Sequence, residues 1–165
     1  MPGAQLPNAM TMGDPAGVGP IIASRAYEII WARDGRPFYV IAAPGALDRT
    51  GATLVPISDP SEARQAFADG LPVLTLPMAP LDLQPGHPDP ATAPAIIESI
   101  RLAVEHARAG KGAAVVTNPI SKALLYRAGF KHPGHTEYLA ELAADGSPTP
   151  RPIMMLAGGG LRVAL

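Results

Sequence analysis

Residues 7–32, PNAMTMGDPAGVGPIIASRAYEIIWA, decide the fold. PNAMTM (7–12) reads as a short strand, GDPAGVGP (13–20) as a glycine-rich turn, and IIASRAYEIIWA (21–32) as a helix. Ile21, Ile22, Ala26, Ile29 and Ile30 are expected to share that helix's buried face. Pro20 suits the first helical turn, where a missing N–H costs nothing. A strand that turns through glycines straight into a helix is the repeating unit of an α/β protein.

The alternation continues outward from there. PFYVIAA (37–43) is a continuous apolar, β-branched and aromatic run suited to a buried strand, and ATLVPI (52–57) and LPVLTLPM (71–78) are further strands around a short helix, SEARQAFA (61–68). A proline-rich connection (79–93) leads to the longest helix, PAIIESIRLAVEHARAG (94–110), with Ile96, Ile97, Ile100, Ala103, Val104 and Ala107 as its apolar stripe and Gly110 as its stop. GAAVVT (112–117) is a strand and SKALLYRAG (121–129) a short helix. The next helix opens at GHTE and runs to about Asp145-Gly146, and PIMMLAG and LRVAL are two closing strands. Strands alternating with helices predict a mostly parallel sheet. The 165 residues amount to one domain's worth of chain.

Composition narrows the chemistry. With no cysteine, disulfides and thiolate metal sites are excluded. A net charge of −1 and the lack of any basic block argue against nucleic acid or an anionic membrane as partner. No apolar run approaches the roughly 20 residues that cross a bilayer, and the N-terminus has no signal-peptide pattern. A cytoplasmic protein is the expectation.

Three segments could carry chemistry. In TMGDPAGVGP (11–20) the spacing of Gly13, Gly17 and Gly19 matches neither a P-loop nor the dinucleotide fingerprint. These glycines either pack helix tightly on strand or let a ligand approach the backbone, and Asp14 is either a turn-former or a polar group facing a cleft. In VVTNPISK (115–122), Thr117, Asn118 and Lys122 fall at the carboxyl end of a strand, where open α/β sheets bind ligands. The plainer alternative makes Ser121 a helix cap and Lys122 a solvated charge. In KHPGHTEYLAEL (131–142), Thr136 is an acceptable N-cap, Glu137 suits the first turn, and Leu139, Leu142 and Ala143 supply the buried face. His135 has no such structural explanation. His132 and His135 lack the i, i+4 spacing of helical metal pairs. His106 reads as a solvated side chain and His87 as a loop residue.

Together TMGDPAGVGP, TNPISK, GHTEYLAEL and MMLAGGGLRVAL resemble, in order and distance, the 4-hydroxythreonine-4-phosphate dehydrogenase family of pyridoxal phosphate (vitamin B6) biosynthesis. The resemblance implies a three-layer, mostly parallel α/β sheet of the isocitrate/isopropylmalate dehydrogenase-like type, truncated to the N-terminal portion of a chain about twice this length. It implies oxidation of 4-phosphohydroxy-L-threonine by NAD or NADP, followed by decarboxylation. It also implies a divalent metal (Zn, Mg or Co) whose ligands lie in the half not present, and a homodimer. Its substrate-binding His-Thr pair falls on His135 and Thr136, while Asp14, Thr117 and Lys122 are possible cleft residues. No catalytic residue and no metal ligand of the family falls within these 165 residues, and the nicotinamide-binding residues are not assigned. Ile21 stands where the family commonly has an acidic residue. The isolated chain is expected to be inactive. A paralogue acting on 4-phospho-threonate, or a non-catalytic module binding phosphorylated ligands, are the alternative expectations.

Overall fold

The computed structural model describes residues 6–33, 35–80, 82–144 and 146–165. They divide into two compact units, one up to Phe130 and one from Lys131.

The first unit is built on five parallel strands: β1 (Asn8–Thr11), β2 (Phe38–Ala42), β3 (Leu54–Ile57), β4 (Leu71–Thr75) and β5 (Val115–Val116). Their order across the sheet is β3-β4-β2-β1-β5. In β2 all five residues are buried, as expected of a strand covered on both faces. Successive side chains of a strand point to opposite faces. Tyr39 and Ile41 accordingly join a cluster with Ala103 of helix α3 (Ala93–Arg108) and Ala63 and Ala66 of the short helix α2 (Ala63–Ala66). Phe38 turns the other way and meets Phe67 edge-on at 5.4 Å, and Phe67 in turn meets Tyr27 of helix α1 (Gly19–Ala32) at 4.9 Å. Helix, sheet and helix thus form three layers.

Two expectations about helices need correction. The buried residues of α1 are Gly19, Pro20, Ala23 and Ser24, whereas Ile21, Ile22 and Ile29 are exposed. The helix meets its neighbours through its smallest side chains, which allow close approach, so the isoleucine face is turned outward. His106 of α3 is not solvated: it is 9 % exposed, and Tyr39 Oη lies 2.9 Å from its Nδ1. Burial, reinforced by the nearby Lys111 charge, pushes the His106 pKa down, and burial raises that of Tyr39. The expected stripe of α3 otherwise holds at Ile96, Ile100, Ala103 and Val104.

The short helix α4 (Lys122–Arg127) ends this unit, with Ser121 as its cap: Ser121 Oγ accepts from Leu124 N at 3.4 Å. In the second unit, α5 (His135–Ala144) is followed by an antiparallel hairpin of β6 (Met155–Gly158) and β7 (Leu161–Ala164). Helix α5 begins at His135, so Thr136 is its second residue rather than its N-cap. Its buried residues are Tyr138 and Ala140, with Leu139 and Leu142 half-buried and Ala143 exposed. The expected helix end at Asp145 falls outside the described residues.

Candidate functional site

Strand β1 leads through α1 to β2 on one side, while β5 lies against the other side of β1. The carboxyl ends of β1 and β5 therefore flank the point where the winding of the sheet reverses, the place where open α/β sheets form a ligand crevice. The 13–19 turn and the 117–121 turn meet there.

Their interlocking is extensive. Asn118 N donates to Thr11 Oγ1 at 3.1 Å, Asn118 Nδ2 to the Thr11 carbonyl at 2.9 Å, and Asp14 N to the Pro119 carbonyl at 2.8 Å. Gly13 has φ +69°, and a Cβ there would lie 2.7 Å from both Asn118 Cβ and the Pro119 oxygen. A Cβ at Gly19 would lie 2.8 Å from the Met12 carbonyl oxygen. These two glycines are thus required by backbone packing and by the left-handed conformation at Gly13. Asp14 is 5 % exposed and Asn118 3 %. One carboxylate oxygen of Asp14 accepts from Ala16 N at 2.9 Å, so Asp14 shapes its own turn.

Outer segments hold the turn in place. Arg49 donates to the Pro15 carbonyl, and to the Gly17 carbonyl at 3.4 Å. Gly86 N donates to the Ala16 carbonyl at 2.8 Å. Below it, Ser99 Oγ accepts from Met12 N at 2.9 Å and donates to the Ile41 carbonyl at 2.7 Å, bridging β1 to β2 just where their ladder ends. Sequence reasoning missed Arg49, Gly86 and Ser99. Each acts across long sequence separation from a segment with no recognisable motif, and only Ser99 carried a signal, as a polar residue on an apolar helix face.

Of the expected site residues in this unit, Asp14 and Thr117 fall at the carboxyl ends of β1 and β5, with Thr117 half-buried directly after β5. Lys122 is exposed at the first position of α4. In the second unit, His135 and Thr136 form the first turn of α5, both half-buried. The positive end of a helix favours an anionic group at that turn. His132 folds back along the same helix, its Nδ1 3.5 Å from Glu141 Oε2 and its ring 4.9 Å from that of Tyr138. Among the described residues no group of three or more His, Cys, Asp or Glu could hold a metal ion, so they do not by themselves fit the divalent metal that the resemblance implies.

Comparison with known proteins agrees with this architecture. The family model described as "Pyridoxal phosphate biosynthetic protein PdxA" matches residues 35–165. A 4-hydroxythreonine-4-phosphate dehydrogenase of Methylorubrum populi is 49% identical over 157 residues, covering 91% of this chain and 45% of the relative. One from Methylorubrum extorquens is 47% identical, covering 95% of this chain and 47% of the relative. The crystal structure of a 4-hydroxythreonine-4-phosphate dehydrogenase from Burkholderia phymatum superposes with a TM-score of 0.82 at 32% identity, over 97% of this chain and 49% of that one. The chain spans about half the length of the curated relatives it matches. Its sequence and its parallel three-layer sheet place it in the PdxA family of pyridoxal phosphate biosynthetic proteins.

Proposed function

We propose that this chain is the N-terminal part of a dehydrogenase that oxidises the 3-hydroxyl of 4-phosphohydroxy-L-threonine with NAD or NADP, in pyridoxal phosphate biosynthesis. The 49% identity to a named 4-hydroxythreonine-4-phosphate dehydrogenase across nine-tenths of the chain carries the proposal. In the reaction, hydride leaves the carbinol carbon for the nicotinamide and the hydroxyl proton is released. The resulting β-keto acid then loses carbon dioxide. A divalent metal, when bound, supplies Lewis-acid polarisation of the substrate oxygen. Its ligands are assigned to a segment equivalent to the remaining length of the relatives. The working protein is a cytoplasmic homodimer with a small phosphorylated substrate and no nucleic-acid or membrane partner. Among the described residues, no helix is long and apolar enough to cross a membrane.

Within these 165 residues the work is binding and orientation. His135 and Thr136 hydrogen-bond the polar end of the substrate from the first turn of α5. Asp14 and Thr117 at the strand ends and Lys122 at the start of α4 support the site, and the buried bonds between Asn118 and Thr11 keep the strand-end turns rigid. The test is calorimetric titration of the 165-residue chain with 4-phosphohydroxy-L-threonine, beside a turnover assay with NAD or NADP and a divalent metal. Saturable binding without turnover is expected, weakened about tenfold or more by His135→Ala, the loss of one hydrogen bond to a charged group. Turnover at the rate of a full-length family member, or identical binding by His135→Ala, would overturn the assignment.

A further inference from the structure

His132 precedes helix α5 in the chain, yet its ring lies along that helix. It meets the Tyr138 ring at 4.9 Å with 37° between the planes, and its Nδ1 lies 3.5 Å from Glu141 Oε2. Tyr138 and Glu141 are spaced i, i+3, so they share one face of α5 and hold the imidazole at two heights. The stack sets the plane of the ring, and the Glu141 contact sets its rotation within that plane. The His132 side chain is only 21% exposed.

The span that joins His132 to the helix is short and stiff. Pro133 fixes its own φ and disfavours helical backbone at His132 before it. The Gly134 carbonyl accepts from Tyr138 N at 3.4 Å. Tyr138 thus holds both ends of the span, its ring against His132 and its amide against Gly134. Helical side chains lean towards the N-terminus and residues three apart are neighbours, so Tyr138 and the ring stacked on it flank His135 in the first turn.

Stability alone is a poor account of this arrangement. The usual staple at a helix start is a pair of apolar side chains. Here one member is polar, and its second partner, Glu141, is 62% exposed, where an ion pair contributes little. A polar ring fixed in plane and rotation supplies orientation more than burial.

We infer that His132 is a positioning residue of the substrate site: its ring, held by Tyr138 and Glu141, sets the direction in which His135 and Thr136 face the substrate. This rests on the proposed activity and deepens it. His132 acts through its neighbours and does not itself touch the ligand.

The experiment is calorimetric titration of the 165-residue chain and its variants with 4-phosphohydroxy-L-threonine, at a temperature where far-UV circular dichroism shows each to be folded. His132→Ala is expected to weaken binding about tenfold, and His132→Phe, which keeps a ring on Tyr138, to stay within about threefold of the parent. Glu141→Ala, at an exposed site that does not threaten folding, should weaken binding about threefold. In a His135→Ala background the cost of His132→Ala should shrink to about threefold or less, because the group it orients is gone. A loss of affinity that is undiminished in that background overturns this inference and spares the proposed function. So does a His132→Phe chain as weak as His132→Ala, or unchanged binding by both His132→Ala and Glu141→Ala while His135→Ala still weakens it. Binding indifferent to His135→Ala, or no saturable binding by the parent chain, brings down both.

Discussion

At the scale of single residues, His106 is a buried titratable side chain whose protonation ties stability to pH. Its ring is buried against the Tyr39 hydroxyl, with Lys111, Glu105, Asp59 and Arg101 as the charges around it. Burial and the Lys111 charge hold its native pKa below the unfolded value of about 6.5. As pH falls below that value, the unfolded chain takes up a proton that the native state resists, and stability is lost progressively towards the native pKa. Above about pH 7 the contribution is complete. Thermal melts from pH 8 to 5 are expected to show a falling midpoint, and His106→Gln should flatten that fall. Asp59, whose carboxylate is held below its usual range chiefly by its hydrogen bond to Lys111, affects a separate window below about pH 4. An unchanged slope in His106→Gln would show that another group sets the acid limit.

At the scale of elements, α1 shows where pattern and packing part company. Ala23 is fully buried while Ile29 is half exposed, although periodicity assigns the isoleucines to the core. Ala23→Leu is therefore expected to cost about 1–3 kcal/mol through overpacking, and Ile29→Glu to stay within about 0.5 kcal/mol, both measured by urea unfolding. The reverse order would mean that the isoleucine face is the packed one. Element types were legible because β2 is a long unbroken apolar run and α3 keeps its stripe for four turns. The glycine turn was legible as a turn, and TNPISK as a strand end running into a helix. The face of α1 was not, because hydrophobic periodicity says which residues are alike and not how closely backbones meet. His106 was misjudged for a related reason: its partner, Tyr39, lies 67 residues away. The clamp of Arg49 and Gly86 on the crevice was hidden in the same way, in segments whose composition reads as ordinary loop.

At the scale of the whole molecule, two groups of large apolar side chains lie exposed. In the β6–β7 hairpin Leu156 pairs with Val163, and Met154, Leu161 and Leu165 fall on the same face, all of them exposed. Val18, Ile21, Ile22, Ile29 and Trp31 add exposed apolar area on and beside α1, and β5 is an edge strand of the parallel sheet. Surfaces of this kind associate. Sedimentation at increasing protein concentration is expected to show a rising mean mass, reduced in a Leu156→Lys, Leu161→Glu double variant. A clean monomer at every concentration would contradict this.

The bonds from Asn118 to Thr11 span 107 positions of sequence, and they are what close the crevice. Closing so long a loop is entropically slow, and contacts between distant segments lag behind local ones in folding. The ladder of β3 with β4, joined by a short connection, can form well before β5 arrives. A nascent or partly folded chain would then own most of its sheet and none of its crevice. Pulse-labelled hydrogen exchange during refolding is expected to protect Val73 before Asn118, and simultaneous protection would rule the sequence of events out. The interlock of the two strand-end turns, on this account, is the last feature the first unit acquires on folding and the first it loses when β5 comes away.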